Sequence, residues 1–80
     1  MTKDEAGEII LQFQAGKEFV TRFQEEEWGI YFQNNTYIYW TYSLDSGGRE
    51  SRLRREMSEE ETVKLLMNIS SYNTILSGLR

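Results

Sequence analysis

Two groups of residues in this chain have the chemistry to engage another molecule: a dense set of aromatic rings and a short run of arginines. The stretch from Trp28 to Leu44, WGIYFQNNTYIYWTYSL, holds both tryptophans, four of the five tyrosines and one of the four phenylalanines. Arg49, Arg52, Arg54 and Arg55 follow a few residues later. Tyrosine offers a large, rather rigid contact area and a hydroxyl at low entropic cost, and arginine stacks on aromatic faces. Together they do recognition chemistry, of the kind found at the centre of protein interfaces. Basic side chains among rings are also what single-stranded nucleic-acid binders use.

Bond-making chemistry is poorly supplied. The chain has no histidine and no cysteine. That removes the usual general base, the commonest transition-metal ligand, thiolate nucleophiles and any disulfide framework. Catalysis would rest on carboxylates, tyrosine or lysine, so the expectation is a protein that is not an enzyme and carries no metal and no cofactor. The acidic runs Glu25-Glu26-Glu27 and Glu59-Glu60-Glu61 read as a solvated hairpin tip and as charges matched to a helix N-terminus. They lack the loop spacing of a calcium site.

Thirteen acidic against nine basic residues in 80 give a net charge of −4, which disfavours broad phosphate binding. Glu50 and Glu56 interrupt the arginine run, which weakens a nucleic-acid reading further. The opening Met1-Thr2-Lys3-Asp4-Glu5 has no apolar run behind its basic residue, and no window approaches the roughly 18 apolar residues of a membrane span. A cytoplasmic protein without membrane contact is expected. A chain this short makes one domain, residues 1–80, and pairing with another chain is a common way to supplement so small a core.

The elements that must hold the rings follow from periodicity. Residues 2–15 read as an amphipathic helix: Thr2 and Glu5 form a capping box, Ala6, Ile9, Ile10 and Phe13 make one stripe, and Gly16 stops it. From Phe19 the period changes to two. Strands are expected over 18–23, from Trp28 to Gln33, from Tyr37 to Leu44 and from Arg49 to about Arg55. Asp45-Ser46-Gly47-Gly48 is the last hairpin turn. The fourth strand is mostly polar and reads as a charged edge. Ser58 with Glu61 opens a final helix whose stripe runs through Leu65, Ile69, Tyr72, Leu76 and Leu79, with Gly78 near its end. Asn68, Ser70, Ser71, Asn73 and Thr74 are mediocre helix formers, so packing must hold that segment. The fold class is α+β: a four-stranded antiparallel meander with N- and C-terminal helices on one face, in the order α-β-β-β-β-α.

Register decides which rings face the helices. Phe23 is set opposite Trp28, and Trp40 opposite Leu53. At the middle turn a two-residue Asn34-Asn35 loop pairs Phe32 with Tyr37, whereas an odd loop aligns Phe32 with Ile38 and Ile30 with Trp40. The odd loop is favoured here because it gathers Trp28, Ile30, Phe32, Ile38 and Trp40 into one core. On that register Tyr31, Tyr37 and Tyr39 point outward with Arg52 and Arg54, and these five are the expected partner-binding residues. The expected function is a small binding module, of the size of an inhibitor, immunity-type protein or regulatory subunit, that meets a protein partner through this face. Single-stranded nucleic acid on the same face and a structural homodimer are the alternatives.

Overall fold

The computed structural model describes residues 1–44, 47–68 and 71–80, without the Phe23 side chain. The elements run α1 (Lys3–Gln14), β1 (Phe19–Phe23), β2 (Glu26–Gln33), β3 (Thr36–Leu44), β4 (Glu50–Met57), α2 (Glu59–Asn68) and α3 (Tyr72–Gly78). The strands form one antiparallel sheet in chain order, β1-β2-β3-β4. This is the α+β meander that the alternation of periods predicts. Among the described residues no helix is long and apolar enough to cross a membrane.

Both ends of α1 are set locally. The Glu5 backbone N–H donates to Thr2 Oγ1 at 3.2 Å, and the Thr2 N–H donates back to Glu5 Oε1 at 2.9 Å. At the other end Gly16 sits at φ 96°, where a side chain is strained. The turn it makes lets Lys17 N–H reach the Gln12 carbonyl and Gly16 N–H the Phe13 carbonyl, both at 3.0 Å.

The turns also set the sheet register. Asn34 and Asn35 have φ of 54° and 61°, so they form a two-residue loop that closes on the Gln33–Thr36 pair. Asparagine tolerates this left-handed conformation because its short polar side chain bonds locally, and two such residues match the twist of the flanking strands. Phe32 therefore lies opposite Tyr37 and Ile30 opposite Tyr39. This corrects the favoured odd loop. The preference for burying Ile38 and Trp40 lost to turn chemistry, and Tyr37 and Tyr39 take the inward positions instead.

The other two pairings also shift. Gln24 (φ 56°) and Glu25 form the first turn, so Thr21, not Phe23, faces Trp28. That slip of two keeps every side chain on its expected face. Between β3 and β4, Trp40 pairs with Arg54 and Tyr42 with Arg52, one residue off the expected Trp40–Leu53 alignment. The cause is the same Asn34-Asn35 turn: β3 turns over while β4 keeps its expected parity, extended beyond Arg55 to a buried Met57 opposite Tyr37. Gly48 (φ 79°) lies in the last turn, while Asp45 and Ser46 of the expected turn fall outside the described residues.

The core lies between the sheet and the helices. Ala6, Ile9, Ile10 and Phe13 of α1, Leu66 of α2 and Ile75 of α3 pack with Phe19, Ile30, Tyr37 and Met57 of the sheet. Each large apolar side chain so buried contributes roughly 1.5–3 kcal/mol. Tyr37 can join this core because its hydroxyl is satisfied. Gln14 Nε2 donates to it at 2.9 Å, and it donates to Glu59 Oε1 at 3.3 Å. One phenol thus ties β3 to the end of α1 and the start of α2. Burial, reinforced by the Glu59 charge, pushes its pKa above the ordinary tyrosine value, while the Gln14 donor acts the other way.

The C-terminal segment forms two helices where one is expected. Ser71, at φ −143°, is extended and caps α3 by accepting from Thr74 N–H. Ile69 of the expected stripe, and Ser70, lie outside the described residues. The Tyr72 hydroxyl donates to Glu8 Oε2, joining α3 to α1 and raising the tyrosine pKa. Gly78 passes against the Phe19 ring so closely that a Cβ there would lie 2.5 Å from Phe19 Cε2. Leu79 then bridges Phe19, and Arg80 exchanges backbone bonds with Glu18 at 2.8 and 3.1 Å. The chain's own C-terminus therefore occupies the start of the β1 edge.

Candidate functional site

Directly paired residues in an antiparallel sheet share a face, so the ladder lists the two faces outright. Phe19, Trp28, Ile30, Phe32, Tyr37, Tyr39 and Met57 face the helices. Val20, Arg22, Glu27, Gly29, Tyr31, Ile38, Trp40, Tyr42, Arg52 and Arg54 face away from them. Of the five expected partner-binding residues, the structure brings Tyr31, Arg52 and Arg54 to the outer face. Tyr37 and Tyr39 are corrected to the helix side. Tyr37 is only 3% exposed, and Tyr39 packs against the Trp28 ring at 5.7 Å between centroids. Trp40 and Tyr42 take the places assigned to them. The signal that could have found these two was the Asn34-Asn35 pair, read as a two-residue turn.

The outer face is built around Gly29. It pairs with Trp40, and the indole lies over it: a Cβ at Gly29 would sit 2.7 Å from Trp40 Cζ2 and 2.3 Å from the Phe19 carbonyl oxygen. Glycine in a strand interior marks such a close approach. The ring thereby lies close against the Gly29 backbone, half-buried. Ile38, next along β3, is buried between Tyr31 and Glu56 in register. These two side chains give the face an apolar floor with no helix above it among the described residues.

Arginines border that floor on the β4 side. The Arg52 guanidinium lies 5.1 Å from the Tyr42 ring centroid, a cation–π geometry. Its ion pair with Glu50 is long, 3.8 Å, and exposed on both partners, so it contributes little and is readily exchanged. A shallow concavity runs along Glu27, Trp40, Tyr42, Arg52 and Arg54. Arg55 is different. It faces the helices and pairs with Glu61 at 2.7 Å, and Glu61 also caps α2 by accepting from the Ser58 N–H. That backbone bond first, and Arg55 second, hold the Glu61 carboxyl below its ordinary range. Arg55 is thus a structural clamp between β4 and α2.

The arrangement offers stacking surfaces, one cation over a ring and interleaved opposite charges. Among the described residues no group of three or more acidic side chains is placed to hold a metal ion. When the chain is compared with family models, with curated proteins and with solved structures, none of them matches it.

Proposed function

We propose that this chain is a non-enzymatic, cytoplasmic binding module that docks a protein partner on the outer face of its sheet. The observation that carries the reading is the Arg52 guanidinium stacked on Tyr42 beside a half-buried Trp40, on the face opposite the helices. Aromatic and arginine anchors on a rigid apolar floor are what interface hot spots are made of. Tyr31, Trp40, Tyr42, Arg52 and Arg54 are the contact residues. The module acts by occupying the partner's surface, as an inhibitor or regulatory subunit does.

Charge favours protein over nucleic acid. Arg22, Arg52 and Arg54 share the face with Glu27, Glu50 and Glu56, so no basic track forms for a phosphate backbone. The test is the affinity of an identified partner for the wild type and for Tyr42→Ala/Arg52→Ala. Truncating two anchors should weaken binding by about tenfold or more with the fold retained. Unchanged affinity refutes the assigned face. A steep loss of binding to single-stranded oligonucleotides with salt supports the nucleic-acid alternative, and a doubled mass in light scattering supports self-association.

A further inference from the structure

The sheet has two edges, and among the described residues only one is occupied by the chain itself. At β1 the C-terminal Leu79 and Arg80 pair beside Phe19 and Glu18. β4 is the other edge, eight residues long, unkinked by proline and exposed from Glu50 to Glu56. The hydrogen-bond alternation identifies which of its backbone groups look outward. Leu44 N–H donates to the Glu25 carbonyl, so the even-numbered residues of β3 bond toward β2. The odd-numbered ones, Tyr37 to Ser43, then bond to Met57, Arg55, Leu53 and Ser51. That leaves the N–H and C=O groups of Glu50, Arg52, Arg54 and Glu56 directed away from the sheet.

The side chains of those four residues lie on the outer face with Trp40 and Tyr42, and their charges read minus, plus, plus, minus. This order disfavours a second copy of the chain over the full length of the edge. In the fully overlapped antiparallel pairing of two β4 strands, Glu50 meets Glu56 and Arg52 meets Arg54. Sliding by one pair forms two Glu–Arg pairs but sets Arg52 against Arg52 or Arg54 against Arg54 between them and leaves one edge charge unmatched, and in-register parallel pairing puts like on like throughout. Like charges directly opposite each other are destabilising. The pattern fits a strand whose alternate residues run plus, minus, minus, plus. On the other side of β4, midway between the arginines, Leu53 is 57% exposed and offers such a strand an apolar contact.

We infer that β4 receives an extended segment of the protein partner as a fifth strand, with two acidic residues at alternate central positions flanked by basic ones. Backbone bonds to the outward groups of β4 supply affinity, and the charge order supplies selectivity. The inference rests on the docking reading for the identity of the partner as a protein, but it is carried by the edge and can fail alone.

The test uses two capped peptides of identical composition, Lys-Thr-Glu-Val-Glu-Thr-Lys and its permutation Glu-Thr-Lys-Val-Lys-Thr-Glu, titrated into the wild-type protein at low salt and followed by amide NMR. The first should shift the amides of Glu50, Arg52, Arg54 and Glu56 and bind about tenfold or more tighter than the second, since all four cross-strand pairs change sign. Arg54→Pro should abolish binding, because it deletes an outward donor at an edge position where proline is tolerated. Equal affinities, shifts that map away from β4, or no binding by either peptide overturn the inference. If the peptides fail while Tyr42→Ala, which lies off the edge, still weakens the partner, the edge falls and the face stands. If the peptides discriminate and Tyr42→Ala is silent, the reverse holds.

Discussion

Gly29→Ala is the substitution whose sign decides whether the outer face is built as described. Gly is unfavourable inside a strand by roughly 0.5–1 kcal/mol relative to Ala, so with open space above it the change would stabilise the domain by about that much. The structure leaves no such space. The new methyl group would lie 2.3 Å from the Phe19 carbonyl oxygen and 2.7–2.8 Å from two atoms of the Trp40 indole. The indole can rotate, but the carbonyl belongs to the β1 backbone and moves only with the strand. Overpacking of this kind costs about 1–3 kcal/mol, which exceeds the propensity gain. For a domain of this size each kcal/mol lowers Tm by roughly 4–8 °C. Urea unfolding and thermal melts of wild type, Gly29→Ala, Trp40→Ala and the double variant complete a cycle in which the two substitutions are less damaging together than their sum. A Gly29→Ala protein that melts above the wild type would refute the placement of Trp40 over Gly29, and with it the apolar floor.

Two further outcomes follow from the core and the α2 cap. Tyr37→Phe removes a buried hydroxyl with two partners while Gln14 keeps its own bond to Glu59, so a loss of about 1 kcal/mol is expected by urea titration. The raised phenol pKa means that Tyr37 favours the folded state fully below the ordinary tyrosine value and loses that contribution as pH rises from there through its raised folded value, so the variant should lose less stability in alkali. Glu61 has the opposite sign: its depressed carboxyl stabilises the fold above the ordinary glutamate pKa, and the contribution disappears as pH falls through the folded value. Glu61→Gln, which can still cap, should flatten the acid limb of the stability profile, as followed by circular dichroism between pH 5 and 2.

Much of this architecture was legible because local signals agree with the global fold. The Thr2–Glu5 and Ser58–Glu61 boxes, the Gly16 stop and the period change at Phe19 each name an element unambiguously, and the structure contains all of them. The site was only half legible. Tyr31, Arg52 and Arg54 stand where periodicity puts them, but Tyr37 and Tyr39 exchanged faces with Ile38 and Trp40. Apolar character alone ranks tryptophan above tyrosine for the core. That ranking ignores Gln14 and Glu59, whose side chains arrive from distant parts of the chain to satisfy the Tyr37 hydroxyl. It also ignores the intrinsic preference of Asn34-Asn35 for a two-residue turn, which sets the parity of all of β3. The break between α2 and α3 had a visible cause in the poor helix formers around Ser71, whose hydroxyl proves more useful as a cap than inside a helix.

Everything proposed for the outer face depends on which side chains β3 presents there, and a nuclear Overhauser spectrum of the wild-type protein measures that directly. The expected cross-peaks join the rings of Phe32 and Tyr37, whose centroids are 4.8 Å apart, and those of Trp28 and Tyr39, 5.7 Å apart. Cross-peaks joining Phe32 to Ile38 and Ile30 to the Trp40 indole would instead turn β3 over, bury Trp40 and Tyr42 beneath the helices, and contradict the account.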